Sequence, residues 1–484
     1  MGTIGSLGPQ SAWAEGAGLG GDAPSVDVLL PRHALGPWGS DALEWEARTT
    51  TDEDEVETEY VSGPLRAVVQ RTVSHKTWRL RASIANSGTD PVSLSRASLA
   101  VDAAAGQAWI WAAGSAGLVV VDDDRTSVWA LALRRGSLTA DGDETVWLEA
   151  GMTLEAGRRV TVELVGGRCR GWDEVSSMLP AWLPPLAVRG GEPVDLALPD
   201  AGVVAPGCSV EEGPDGTEIR GTGLKRVSVR GAFGEVSLEL AFAPTLTEAA
   251  TASARRLARQ LGEQPEGGPP ATGSDGRAES LDRTARRLVV LQAARSHEAA
   301  DTVAWGLVPE VADLVREGGH VGPFTAAALA GEVQRRDDQD ALEALLAVLP
   351  GVEAEPGMAL ALTRVWAALW GLGRDPAPVR EALARLSARP VRTRLQDVER
   401  RLMTGDPDAA RRLLGALGGG LPGRPSPTRK PWEAAYAVAL ASLVADDDPA
   451  GPAVVQAAEL VARRLTAAGP EDADVLAWLL LGER

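Results

Sequence analysis

Histidine, cysteine, tryptophan and paired carboxylates are the side chains of this chain that could do chemistry. His33, His75, His297 and His320 are scattered, and no two have the spacing of metal ligands. His320 has the most suggestive setting, because Gly318-Gly319-His320-Val321-Gly322-Pro323 reads as a loop between helices where a polar side chain could face a groove. Cys169 and Cys208 are too few for a disulfide framework and read as ordinary thiols. Trp109 and Trp111 stand two apart on one face of a strand, with Trp129 and Trp147 on later strands. Flat rings of this kind can stack on sugars. The plainer role is to fill a sandwich interior, and Ile110 between the first two suits a strand buried on both faces. Trp366 and Trp370 are one helical turn apart, as are Trp432 and Tyr436, which makes either a core seam or a ligand platform. Beside carboxylates such as Glu310 and Glu433, such a platform could line a sugar cleft; an inverting glycosidase needs two carboxyls roughly 6.5–9.5 Å apart, one with a raised pKa. The candidate ligand-binding residues are therefore Trp109, Trp111, Trp129, His320, Trp366, Trp370 and Glu433.

Several motifs fail on context. Gly16-Ala17-Gly18-Leu19-Gly20-Gly21 spells a dinucleotide loop but follows no strand, and Gly221-Thr222-Gly223 lacks its third glycine because Arg226 stands there. No phosphate-binding P-loop, nucleophile elbow or zinc pattern occurs. No catalytic residue is identified by motif, and no cofactor or metal is expected.

Composition narrows the class further. The chain has 484 residues, enough for two or three cores, and 44% apolar content, which is ordinary for a globular protein. Lysine occurs only at Lys76, Lys225 and Lys430 and asparagine only at Asn86, the mark of a GC-rich bacterial genome. Tryptophan has a GC-rich codon, so the 15 tryptophans partly replace Phe and Tyr in core positions. A net charge of −19 repels phosphate backbones and anionic lipid heads, and argues against a nucleic-acid partner. The densest acidic stretch, Asp41 to Glu59, reads as a solvated hairpin tip. The first 24 residues lack a basic start followed by an apolar run, and no uncharged run of eighteen or more apolar residues occurs. A cytoplasmic location without membrane insertion is the resulting expectation.

Period-two runs bounded by turn residues fill the chain up to about residue 245. In Trp78, Leu80, Ala82 and Ile84 one face is apolar, while Arg79, Arg81 and Ser83 form a wet one. Beyond the seam, Ala-, Leu- and Arg-rich helical segments take over. The expected fold class is α+β multidomain: a disordered start (1–24), an antiparallel β-sandwich (25–178), a small β domain or closing strands (179–245), a helix and linker (246–280), and an all-α array of helical hairpins (281–484), either open solenoid or closed α/α toroid.

Within the helical half, segments starting at Asp338, Asp375 and Asp406 end on Leu349, Leu386 and Leu417, at spacings of 37 and 31 residues. Asp at each start can cap free N–H groups, and a period in the thirties is that of stacked helix pairs. Gly405-Asp406-Pro407-Asp408-Ala409-Ala410 and Gly373-Arg374-Asp375-Pro376 resemble the turns of tetratricopeptide repeats, a likeness spanning Trp366 to Leu417. It implies an open array with a concave face for a protein partner. The order of sandwich then helices is also similar, in architecture alone, to bacterial glucoamylase-type hydrolases. Two functions follow: first, a non-enzymatic cytosolic binding or scaffold protein taking a protein partner; second, a carbohydrate-active protein, binding glycan through the sandwich or hydrolysing it in a toroid.

Overall fold

The computed structural model describes residues 25–36, 39–52, 54–73, 77–102, 107–122, 128–141, 144–262, 274–294, 297–318, 321–426 and 428–483. The start expected to be disordered, the middle of the expected linker (263–273) and His320 lie outside the described residues.

Alternation of apolar and polar residues builds the sheets. In Trp78–Asn86, Trp78, Leu80, Ala82 and Ile84 are buried while Arg79 is exposed. This strand is central in an antiparallel sheet of nine, in the order Arg424–Ser426, Gln107–Ala112, Gly117–Asp122, Val128–Arg135, Arg159–Cys169, Trp78–Asn86, Leu65–Val73, Glu55–Ser62 and Glu46–Thr51. The last two form the acidic hairpin, with every residue of Glu46–Thr51 exposed. One face of the sheet shares a core with two four-stranded sheets, through Leu80, Ile84, Leu131 and Leu164 on one side and Val28, Leu94, Leu99 and Leu148 on the other. The opposite face, with Trp109, Trp111, Leu118, Val120 and Ala130, packs into a larger core that runs on through the helices.

Residues 187–243 form a four-stranded and a three-stranded sheet. Val227, Leu238, Leu240 and Phe242 of this region lie in the larger core. So small a unit buries too little by itself and leans on its neighbours.

A short helix, α1 (Trp172–Ser176), precedes these strands. After them come α2 (Leu246–Gly262), α3 (Ser274–Ala293), α4 (Glu298–Arg316), α5 (Pro323–Arg336), α6 (Gln339–Val348), α7 (Met358–Gly371), α8 (Ala377–Ser387), α9 (Arg394–Met403), α10 (Ala409–Ala416), α11 (Pro431–Leu440), α12 (Gly451–Ala468) and α13 (Ala473–Leu481). Start signals in the sequence act where they stand. Asp338 accepts from Ala341 N at 3.0 Å, Asp375 from Ala377 N at 2.9 Å, and Asp406 from Asp408 N at 2.9 Å. These three aspartates precede α6, α8 and α10. In α5, Phe324 through Ala330 are all buried, and in α13 every residue from Val475 to Leu481 is.

The buried helices form the inside of a closed arrangement. α3 packs on α5, α5 on α7 and α7 on α9; the Tyr436 hydroxyl, bonded to Glu399, links α9 to α11, which packs on α13, and α13 packs back on α3 and α2. That closure removes the open concave face implied by the likeness to tetratricopeptide repeats, which the structure does not show. Ring and sheet are also stapled together, because Arg424–Ser426, between α10 and α11, pairs with Gln107–Ala112. Among the described residues, no helix is long and apolar enough to cross a membrane.

Candidate functional site

Most of the residues singled out by type and spacing serve the core instead. Trp109 and Trp111 are each 6% exposed and Trp129 is 9% exposed, so no ring face is open to stack on sugar. Trp109 donates its indole N–H to Pro422 O at 2.9 Å, and Trp129 meets Trp78 edge to face with centroids 6.3 Å apart. The glycan platform on the sandwich is thereby corrected: a sheet covered on both faces turns alternate tryptophans into two cores. Trp366 packs half-buried against the helical core, whereas Trp370 is 71% exposed; both lie toward the C-terminal end of α7. Glu433 is half-buried and caps its own helix, accepting from Lys430 N at 3.3 Å. Glu310 is exposed on α4. His320 lies outside the described residues, but its loop neighbour Gly322 abuts the cleft described next.

That cleft opens where the ring closes. It has a volume of about 520 Å³ and is lined from α2 by Arg256 and Gln260, from α3 by Asp282, Arg283, Arg286 and Arg287, and from the start of α13 by Asp472 and Asp474. Arg286 pairs with Asp282 at 2.8 Å, reaches toward Asp474 at 3.6 Å, and lies over the Phe324 ring at 4.7 Å. Arg256 pairs with Glu471 at 2.7 Å and holds the turn into α13. Gly322, at the entry to α5, stands between Asp282 of the cleft and a second carboxylate, Glu355, which lines a neighbouring pocket with Met358, Gln396 and Glu399. A Cβ there would stand 3.5 Å from Asp282 Oδ1 and 3.2 Å from Glu355 Oε2, so both acids converge on one point. Burial raises the Asp282 carboxyl above its ordinary value of 3.8; Arg286 opposes this, while Glu355 and Asp474 add to it. A carboxyl raised above its ordinary value, a second carboxylate nearby and a guanidinium paired to the first are parts that an acid–base site can use.

Beneath the cleft the ring is filled with aromatic rings. Trp478 of α13 contacts Phe324 with centroids 4.8 Å apart, Tyr436 at 4.8 Å and Trp432 at 6.0 Å. Thus the Trp432/Tyr436 pair is a core seam. Glu399 of α9, 4% exposed, reaches the start of α7: it accepts from Gly357 N at 3.0 Å, from Ala359 N at 2.9 Å and from the Tyr436 hydroxyl.

Asp282, Glu355 and Arg286 went unseen in the sequence. Asp282 and Arg286 are legible as an i,i+4 ion pair on a helix, which is more often surface ornament than chemistry. Glu355 sits in a turn among other acids, and only tertiary closure sets it beside α3.

No family model matches the chain, and no curated protein matches it in sequence. Among solved structures, a polysaccharide lyase aligns with 91% of this chain and 75% of its own, at 13% identity and a TM-score of 0.51. A glycoside hydrolase of family 81 from Clostridium thermocellum aligns with 90% of this chain and 81% of its own at 9% identity, but its TM-score of 0.25 is too low to bear on the fold. The likeness to the lyase is one of fold. It overturns the expectation of a non-enzymatic scaffold, which rested on a repeat-like helical half and the absence of catalytic motifs. The chain is similar in fold, across most of its length, to a polysaccharide lyase.

Proposed function

We propose that this chain is a carbohydrate-active enzyme that cleaves an anionic polysaccharide in the cleft at the ring closure. The convergence of Asp282 and Glu355 on Gly322, with Arg286 paired to the first, carries this reading. In a hydrolysis, Asp282 in its acid form would protonate the leaving glycosidic oxygen, while Glu355 would activate a water or attack the sugar carbon. The guanidinium groups of Arg256, Arg283, Arg286 and Arg287 suit carboxylate or sulfate groups on the sugar, which they can meet with paired N–H donors. The likeness to a polysaccharide lyase supports the class of substrate but not the reaction.

A second reading, elimination, is favoured by the same arginines, because neutralising a uronate makes its α-proton easier to remove. Incubating the protein with a panel of neutral, carboxylated and sulfated polysaccharides separates the two. New reducing ends without ultraviolet absorbance mark hydrolysis; an absorbing unsaturated end marks elimination. In either case Asp282→Asn should lower the rate by about 10²-fold or more, the scale of a lost acid–base group. Cleavage that survives this substitution undiminished would move the site elsewhere, and failure to cleave any of the panel would sink the reading.

A further inference from the structure

The start of α7 is capped from outside its own chain segment. Gly357, its cap residue, has φ of +82° and no side chain, and a Cβ there would collide with Trp478. The cap is supplied by Glu399, whose carboxylate takes the N–H groups of Gly357 and Ala359, a longer third at 3.4 Å from Leu360, and the hydroxyl of Tyr436. Burial pushes the Glu399 carboxyl above its ordinary value, while the hydrogen bonds from Tyr436 and from the N–H groups of Gly357, Ala359 and Leu360 pull against that shift. Two residues upstream, in the turn closed by Met358 N donating to Glu355 O at 3.2 Å, stands Glu355.

We infer that Glu399 is a positioning residue for the site: by clamping the Gly357 turn from α9, it fixes where the Glu355 carboxylate stands relative to Asp282. Glutamine at 399 would turn an NH₂ group toward a backbone N–H of the Gly357 turn in place of the acceptor it now has, so the turn must shift. Its displacement can be read without any substrate. The charged groups facing Asp282 are Arg286 on its own helix, Glu355 from the turn before α7 and Asp474 from α13, with Arg256 of α2 lining the same cleft. Glu355 holds the Asp282 carboxyl up, whereas Glu399 is not among the groups acting on it. Drawing Glu355 away therefore lowers the Asp282 titration, an effect that changing Glu399 would not produce directly.

The experiment is a carbon-13 carboxyl NMR titration of Asp282 in the full chain, for wild type, Glu355→Gln and Glu399→Gln. Both variants should titrate at lower pH than wild type. If Glu399→Gln does not fold, Glu399→Asp, which keeps the carboxyl but draws it back from the turn, should move the titration in the same direction. An unmoved Asp282 in a folded Glu399 variant, or in Glu355→Gln, overturns the inference. A kinetic arm rests on the carbohydrate reading: there Glu399→Gln should lower kcat by about 10²-fold with KM little changed, the cost of a reacting group displaced by about 1 Å. Should no polysaccharide be cleaved, that reading fails while the titration still decides the role of Glu399.

Discussion

Asp282 is held between opposing forces, because burial and two neighbouring carboxylates keep its proton on while Arg286 works to remove it. The net effect is upward, so the folded chain binds this proton more tightly than the unfolded chain does. Its contribution to stability is then full below the unfolded value near 3.8 and is lost as pH rises through the raised native value. Asp282→Asn should abolish that decline. Urea midpoints of the two proteins across mildly acid pH check it, and parallel curves would show that Asp282 does not titrate as described. A second residue-scale expectation concerns Trp78, 3% exposed and in edge contact with Trp129. Replacing it with alanine should cost about 3–5 kcal/mol through lost burial and a cavity. An unchanged Tm would place the ring outside the core. Trp78 was readable from alternation in its own strand, whereas Asp282 gains its meaning only from Glu355, 73 positions on.

Among elements, the strand Arg424–Ser426 is the one whose role was hidden. Its Gly- and Pro-rich surroundings, Gly418 to Pro431, read as a break between helices, and they are one. They also carry the chain across to the edge of the nine-stranded sheet, where Trp109 faces Pro425. Gly423 makes this approach feasible: its φ is +106°, and a Cβ would run into the Ile110 carbonyl. Gly423→Ala should cost about 1–3 kcal/mol from the strained backbone alone. Amide hydrogen exchange should show the loss concentrated in Gln107–Ala112 and its new neighbour; uniform loss over the molecule would mean that the strand is not a separate staple. Strands and helices were legible because period two and period 3.6 are written locally in residues such as Trp78–Ile84 and in caps such as Asp338. The pairing of a three-residue strand with a sheet more than 300 positions away has no local signature, and neither has the closure of the ring.

For the whole molecule, closure predicts how it fails. Deleting Glu471 onward removes α13, whose buried side chains face α2, α3, α5 and α11. In an open array only the hairpin before it would loosen; here protection should be lost back to α3, with the sandwich still folded. Hydrogen exchange on the truncated protein decides between the two, and protection retained in α3 and α5 would contradict closure. The same geometry has a consequence in time. Arg256 and its partner Glu471 are 215 positions apart, so the cleft cannot be assembled as its first wall is made. At about 5–20 residues per second, ribosomal synthesis leaves roughly ten to forty seconds between the two. Through that interval the sandwich can fold and the apolar faces of α3 and α5 wait uncovered, open to chaperones and to other nascent chains. The cleft forms only when α13 seats against α2 and α3, so its two walls meet long after the first of them is made.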